Sequence, residues 1–156
     1  MAYKTKLRWL DGGSAQIELA FSILFMLVAV LTLMELGNAI YTYVVLSDAA
    51  NEGVRFAIVN SKDASFATDV TNKVTNYASA AFTLGSTSNI KNCGPNSNLN
   101  FVNVTCPDSG GSCPGSVPGR VEVTVCYPYV PLIGLTSKIS STSPTMTAYA
   151  EGRLVY

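Results

Sequence analysis

The chain has 156 residues, ten basic and ten acidic, with 13% charged and 48% hydrophobic residues and no histidine. That length suits one small globular unit beside a long helix. Zero formal charge without a basic patch excludes a nucleic-acid binder. Without histidine a serine nucleophile would need lysine or a carboxylate as its base, and no such constellation is legible, so no enzyme, cofactor or metal site is expected.

The first eight residues carry Lys4, Lys6 and Arg8, and no further Lys or Arg appears until Arg55. Between them Gly12-Gly13-Ser14-Ala15-Gln16-Ile17-Glu18 leads directly into an uncharged run from Leu19 to Met34. The charge asymmetry places the basic leader on the cytoplasmic side of a membrane helix and everything beyond it outside. A secretory signal peptide would be cut after the apolar run. Here no clean small-residue site follows Met34, so the plausible cut lies at Gly13-Ser14 and leaves the helix as the new N-terminus. Glu18 would then be the fifth residue, about 6 Å of helix rise from the new amino group. A carboxylate at the edge of an apolar helix costs roughly 2.5–3.5 kcal/mol at the bilayer centre, which makes Glu18 a functional candidate. The alternative is an interfacial glutamate that reaches water. Losing Lys4, Lys6, Arg8 and Asp11 with the leader leaves seven basic and nine acidic residues.

Residues 14 to about 59 read as one continuous helix without proline. At about 1.5 Å per residue it would be roughly 70 Å long, against a hydrocarbon thickness of about 30 Å, so its second half must emerge. That half places Ala39, Tyr43, Leu46, Ala50, Val54 and Ala57 on one stripe suited to packing on a folded domain. Tyr41 and Tyr43 would suit the outer interface, and Gly37 and Gly53 close approaches. After Asn60-Ser61-Lys62-Asp63, the spacing of Phe66, Val70, Val74, Tyr77, Ala78 and Ala81 predicts an amphipathic helix over 63–82 whose stripe is core.

Residues 85–100 turn to Ser, Thr, Asn, Gly and Pro and read as loop. Leu99–Thr105 and Arg120–Tyr127 show strand character around a Gly- and Pro-rich tip. In the second of these Val121, Val123 and Val125 alternate with Glu122, Thr124 and Cys126, as a strand with one buried face does. A last strand spans about Thr145 to Val155. Asn103-Val104-Thr105 fits a glycosylation triplet, but inside a strand it carries little, and Gly110-Gly111 lacks the strand and helix of a phosphate loop.

Cys93, Cys106, Cys113 and Cys126 all fall in the part predicted to be outside, and their even number reads as two disulfides. Three connectivities are open. In one of them Cys106-Cys113 closes a hairpin tip and Cys93-Cys126 ties the preceding loop to a strand. A tetrathiolate zinc site is the rival, but its usual C-x-x-C pairs are missing, as is a redox-active pair.

The stretch around Gly13, Ser14 and Glu18 resembles the type IV pilin superfamily, and within it the TadE-like minor pilins, or pseudopilins, of the tight-adherence (Tad) system. The resemblance continues through Leu36-Gly37-Asn38-Ala39-Ile40-Tyr41 after Glu35. It includes Leu46-Ser47-Asp48-Ala49-Ala50-Asn51-Glu52-Gly53-Val54-Arg55-Phe56-Ala57, similar to that family's Asn-Ala-Ala-Arg-Glu-Gly-Ala-Arg stretch. Val121–Pro128 and Thr145–Glu151 look similar to its terminal strands. Leu19 departs from the aromatic that often follows the glutamate, and Asn38 from a common basic residue, which bears on what Glu35 contacts.

The expected fold is α+β: a leader over 1–13, a transmembrane and stalk helix over 14–60, and a domain over 61–156 with a second helix and a small antiparallel sheet. The resemblance implies a minor pilin of a Tad, or type IVc, pilus, anchored in the bacterial inner membrane with its N-terminus cytoplasmic and its domain periplasmic or displayed in the pilus. It implies prepilin peptidase, other Tad pilins and the assembly platform as partners, oligomerisation in the filament, and a part in surface adhesion. A signal-anchored exported protein without a filament role, or a major filament pilin, is the alternative.

Overall fold

The computed structural model describes residues 11–60, 65–85, 93, 100–110, 113, 119–132 and 144–154. Helix α1 spans Asp11–Val59 and α2 spans Phe66–Ala78; strands β1 (Phe101–Thr105), β2 (Arg120–Pro128) and β3 (Thr145–Arg153) follow. The strands form an antiparallel sheet in the order β1-β2-β3. The fold is α+β. It divides into two compact units, one ending at Gly37 and the other beginning at Asn38.

In the first unit α1 begins at Asp11, three residues before the expected start at Ser14. From Ile17 to Met34 every large apolar side chain is exposed, Phe25 as much as 80%. The hydroxyl of Thr32 donates to the Val28 carbonyl at 2.8 Å, so this polar group is satisfied within the helix.

In the second unit one side of α1 is buried: Thr42, Leu46, Ala49, Ala50, Gly53, Val54 and Ala57. This stripe is rotated from the expected one, because Tyr43 is exposed and Thr42 takes the inward position, its hydroxyl donating to the Asn38 carbonyl at 2.9 Å. The small residues let α1 lie close to its neighbours. A Cβ added at Gly53 would collide with Cγ2 of Val74 on α2 and stand 3.3 Å from Cγ1 of Val123 on β2. A Cβ at Gly152 on β3 would likewise meet Val54 and Ile58 of α1.

The sheet turns one face to the helices. Its cross-strand rows are Val102, Val125 and Ala148, then Val104, Val123 and Ala150, then Val121 and Gly152. Val121, Val123 and Val125 are fully buried, each stabilising the fold by about 1.5–3 kcal/mol relative to exposure. The opposite face carries Arg120, Glu122, Thr124, Tyr149 and Glu151. It is not polar throughout: Cys126 and its partner Phe101 are buried there, so β2 has both faces covered near its C-terminal end, unlike the one-sided strand the alternation predicts.

Helix α2 is shorter than the expected 63–82; residues 61–64 lie outside the described ones. It stops at Ala78, where the Ser79 hydroxyl donates to the Asn76 carbonyl at 2.6 Å and Phe82 turns back on Ala78. Tyr77, on the outer side of α2, and Ala81, beyond its end, are exposed, while Phe82 packs on Tyr127 with ring centroids 4.5 Å apart.

Two contacts fix the direction of β2 along α1. The Asn38 amide donates to the Tyr129 hydroxyl at 3.2 Å, and Gly53 abuts Val123. Fifteen helical residues rise about 22 Å and six strand residues about 20 Å, so β2 runs opposite to α1 over this length. The β2–β3 ladder extends past the strand ends, through Tyr129 N–H to the Pro144 carbonyl (2.9 Å) and Leu154 N–H to the Gly119 carbonyl (2.8 Å).

Candidate functional site

Gly13 is exposed and an added Cβ there would meet nothing within 4 Å. Gly13 and Ser14 lie at the N-terminal end of the described part of α1. Gly12 and Gly13 each disfavour helix by about 1 kcal/mol relative to alanine, which makes this stretch easier to unwind. Glu18 is exposed on the same helix, among exposed apolar neighbours. Glu35 is half-buried. Asn38, the departure from a basic residue, is committed instead to Tyr129.

The cysteines are joined as Cys93–Cys126, with Cα atoms 6.0 Å apart, and Cys106–Cys113, with Cα atoms 5.0 Å apart. The first ties the segment before β1 to the central strand. The second closes the loop that holds a single 3-10 turn, Pro107–Ser109, which ends on Gly110 in the left-handed region at φ 70°. Among the described residues no group of three or more Cys, Asp or Glu is placed to hold a metal.

A polar cluster that periodicity did not reveal gathers around Arg120. Its backbone N–H donates to Asp108 Oδ2 at 2.9 Å, its Nη2 to Asp108 Oδ1 at 3.1 Å, and its Nη1 lies 3.5 Å from Glu151 Oε1. These hydrogen bonds hold the Asp108 carboxyl below the usual carboxylate range and push the Arg120 guanidinium up. Tyr149, 54% exposed, donates to Glu151 Oε2 at 3.1 Å. Partial desolvation on the sheet, then the carboxylates of Glu151 and Glu122, push its phenol from 10.0 to about 12. Asp108 and Arg120 are twelve residues apart in sequence, and no periodicity or motif links them. Every carboxylate of the cluster faces a hydrogen-bond donor, so the arrangement closes the end of the sheet rather than presenting a reactive group.

The chain is thus an α+β protein whose N-terminal helix is long, apolar and exposed, an arrangement compatible with a membrane anchor. Residues 13–55 match the family model of TadE-like proteins. The match covers the Gly13-Ser14 motif, Glu18, the apolar run and the packed part of α1, and none of the sheet. No curated protein and no solved structure matches the chain.

Proposed function

We propose that this protein is a minor pilin, or pseudopilin, of a Tad-type pilus, held in the inner membrane by α1 and matured by prepilin peptidase. The observation that supports this reading best is the TadE-like match over residues 13–55, laid on a helix whose large apolar side chains from Ile17 to Met34 are all exposed. Mechanism here is assembly rather than catalysis. The leader of residues 1–13 carries the basic charge that keeps the N-terminus cytoplasmic. Hydrolysis of the Gly13–Ser14 peptide bond removes it and leaves an ammonium on Ser14. The glycine pair allows the first turn to unwind into the extended form that a peptidase binds.

Glu18 then sets register. Within its own chain it lies four residues from the new ammonium, about 6 Å along the helix axis. A neighbouring subunit's ammonium at about 4 Å would gain roughly 4 kcal/mol at an effective dielectric constant of 20, enough to offset the cost of holding a carboxylate among apolar helices. Sliding one helix past another breaks that pair. The exposed residues 17–34, solvated by lipid in the free subunit, become helix–helix contacts in a filament core, while the disulfide-bonded unit stays outside. Pilus assembly, surface adhesion and association with other Tad pilins and the assembly platform follow from this reading.

The test is the N-terminus of the protein in membranes from cells with and without the peptidase, by intact mass and peptide mapping. A chain starting at Ser14 only when the peptidase is present is the expected result. The same uncut start in both strains refutes the pilin route and leaves a signal-anchored exported protein.

A further inference from the structure

We infer that the anchor-proximal end of the second unit is itself a membrane-contact surface, with Val130 and Leu132 seated at the headgroup boundary of a lipid bilayer. This rests on the reading of α1 as a membrane anchor and adds a second, independent point of contact.

Three observations lead there. Chain length sets proximity: Asn38 is four residues beyond Met34, the end of the apolar run, so it lies within about 14 Å of it whatever the chain path. The Asn38–Tyr129 hydrogen bond and the Tyr129–Pro144 ladder bond bring the end of β2 to that same level. Beyond Tyr129 the chain carries Val130, 68% exposed, and Leu132, 76% exposed, joined by exposed Ile40, Tyr41 and Tyr43 on α1.

Charge is sorted along the unit. Among the described residues, those at this end, 36–43, 127–132 and 144–147, contain no Asp, Glu, Lys or Arg. Asp108, Arg120, Glu122, Glu151 and Arg153 gather at the other end of the sheet. The residues exposed here, Ile40, Tyr41, Tyr43, Val44, Val130 and Leu132, are large and uncharged, and a surface facing water has no reason to exclude charge so fully. One facing the bilayer boundary does, since tyrosine, threonine and asparagine suit the headgroup level and apolar side chains the depth below it. The occupant is therefore a lipid surface, engaged without electrostatic attraction.

The full chain, purified uncleaved, is reconstituted into vesicles of phosphatidylethanolamine and phosphatidylglycerol. Trp9, the only tryptophan, is replaced by phenylalanine. Val130→Trp, Leu132→Trp and Arg153→Trp are then made singly in that background, with near-UV circular dichroism reporting the fold of each. At a depth of about 5–10 Å, the reporters at 130 and 132 emit to the blue and lose about half their intensity to lipid brominated near the headgroup end of its chains. The reporter at 153 does neither. Salt leaves the pattern unchanged, because Val130 and Leu132, which make the contact, are uncharged.

Flotation on the same samples separates the two readings. A chain that does not float with the vesicles overturns the anchor reading. A chain that floats while the reporters at 130 and 132 behave like that at 153 overturns the present inference alone. Shielding that appears only at high protein-to-lipid ratio assigns the surface to a second copy of the chain and overturns it equally.

Discussion

Substituting Gly53 by alanine tests whether close approach, rather than helix propensity, governs α1 in the folded unit. In an open helix the change would stabilise by about 1 kcal/mol. Here the new Cβ meets Cγ2 of Val74 and crowds Cγ1 of Val123, both on fully buried, β-branched side chains with little rotamer freedom. Overpacking of this kind costs about 1–3 kcal/mol, so the net expectation is a loss of about 1 kcal/mol. Gly37→Ala is the control, since nothing lies within 4 Å of its added Cβ. The assay is urea unfolding of the full chain in detergent, followed by near-UV circular dichroism of the tyrosines. The midpoint should fall for Gly53→Ala and hold or rise for Gly37→Ala. Val74→Ala alone should cost about 2 kcal/mol. In the Gly53→Ala background it should cost less, because it removes the colliding methyl, with a coupling of about 1–2 kcal/mol. Equal midpoints for the two glycine variants, or strict additivity in the cycle, would refute the packing explanation.

Removing Cys93–Cys126 as an alanine pair should cost about 4 kcal/mol and removing Cys106–Cys113 about 2 kcal/mol by loop-closure entropy, since their sequence separations are 33 and 7; denaturant midpoints of the two double variants give the order. Tyr149 should ionise near pH 12 instead of 10. Its folded value is raised, so the stability it contributes is complete below pH 10 and is lost as pH rises through 12; tyrosinate absorbance against Tyr149→Phe isolates that step. Asp108 has the opposite sign: its stabilising pair with Arg120 is present above the ordinary value of 3.8 and is lost as pH falls through its lower folded value, an acid step that Asp108→Asn should abolish in an unfolding titration. Asn38→Ala should cost about 1 kcal/mol through the lost bond to Tyr129, read from the same denaturation assay.

Helix α1 was legible because nothing in forty-odd residues opposes it, and the three strands because valines alternate with polar residues on β2. What was misread turns on contacts. Tyr43 and Thr42 are both compatible with a helical stripe ending at Ala57; the choice falls to Thr42 because Gly53 must face Val74 and Asn38 must reach Tyr129. Ala81 fits the period of α2 as well as Ala78 does, but the hydroxyl of Ser79 competes for a backbone carbonyl and the turn brings Phe82 inward; Tyr77, still helical, lies on the outer side of a stripe that Val70, Val74 and Ala78 already fill. Burial of Cys126 follows from a bond to Cys93 that spacing left as one of three connectivities. Gly13, Ser14 and Glu18 were legible as a motif in the sequence; the exposure of the helix that carries them is a property of the folded chain.

Gly152 fits against Val54 and Ile58, which joins segments synthesised nearly a hundred residues apart. When α1 first leaves the ribosome its inward stripe has no cover, and β3, which completes that cover, is translated only after both cysteine pairs have been made. Closure of the core therefore waits for the last strand, however early α1 and α2 have formed. Long-range closure of this kind is intrinsically slow. A chain cut short before β3 would leave exposed the helix face that the folded chain hides.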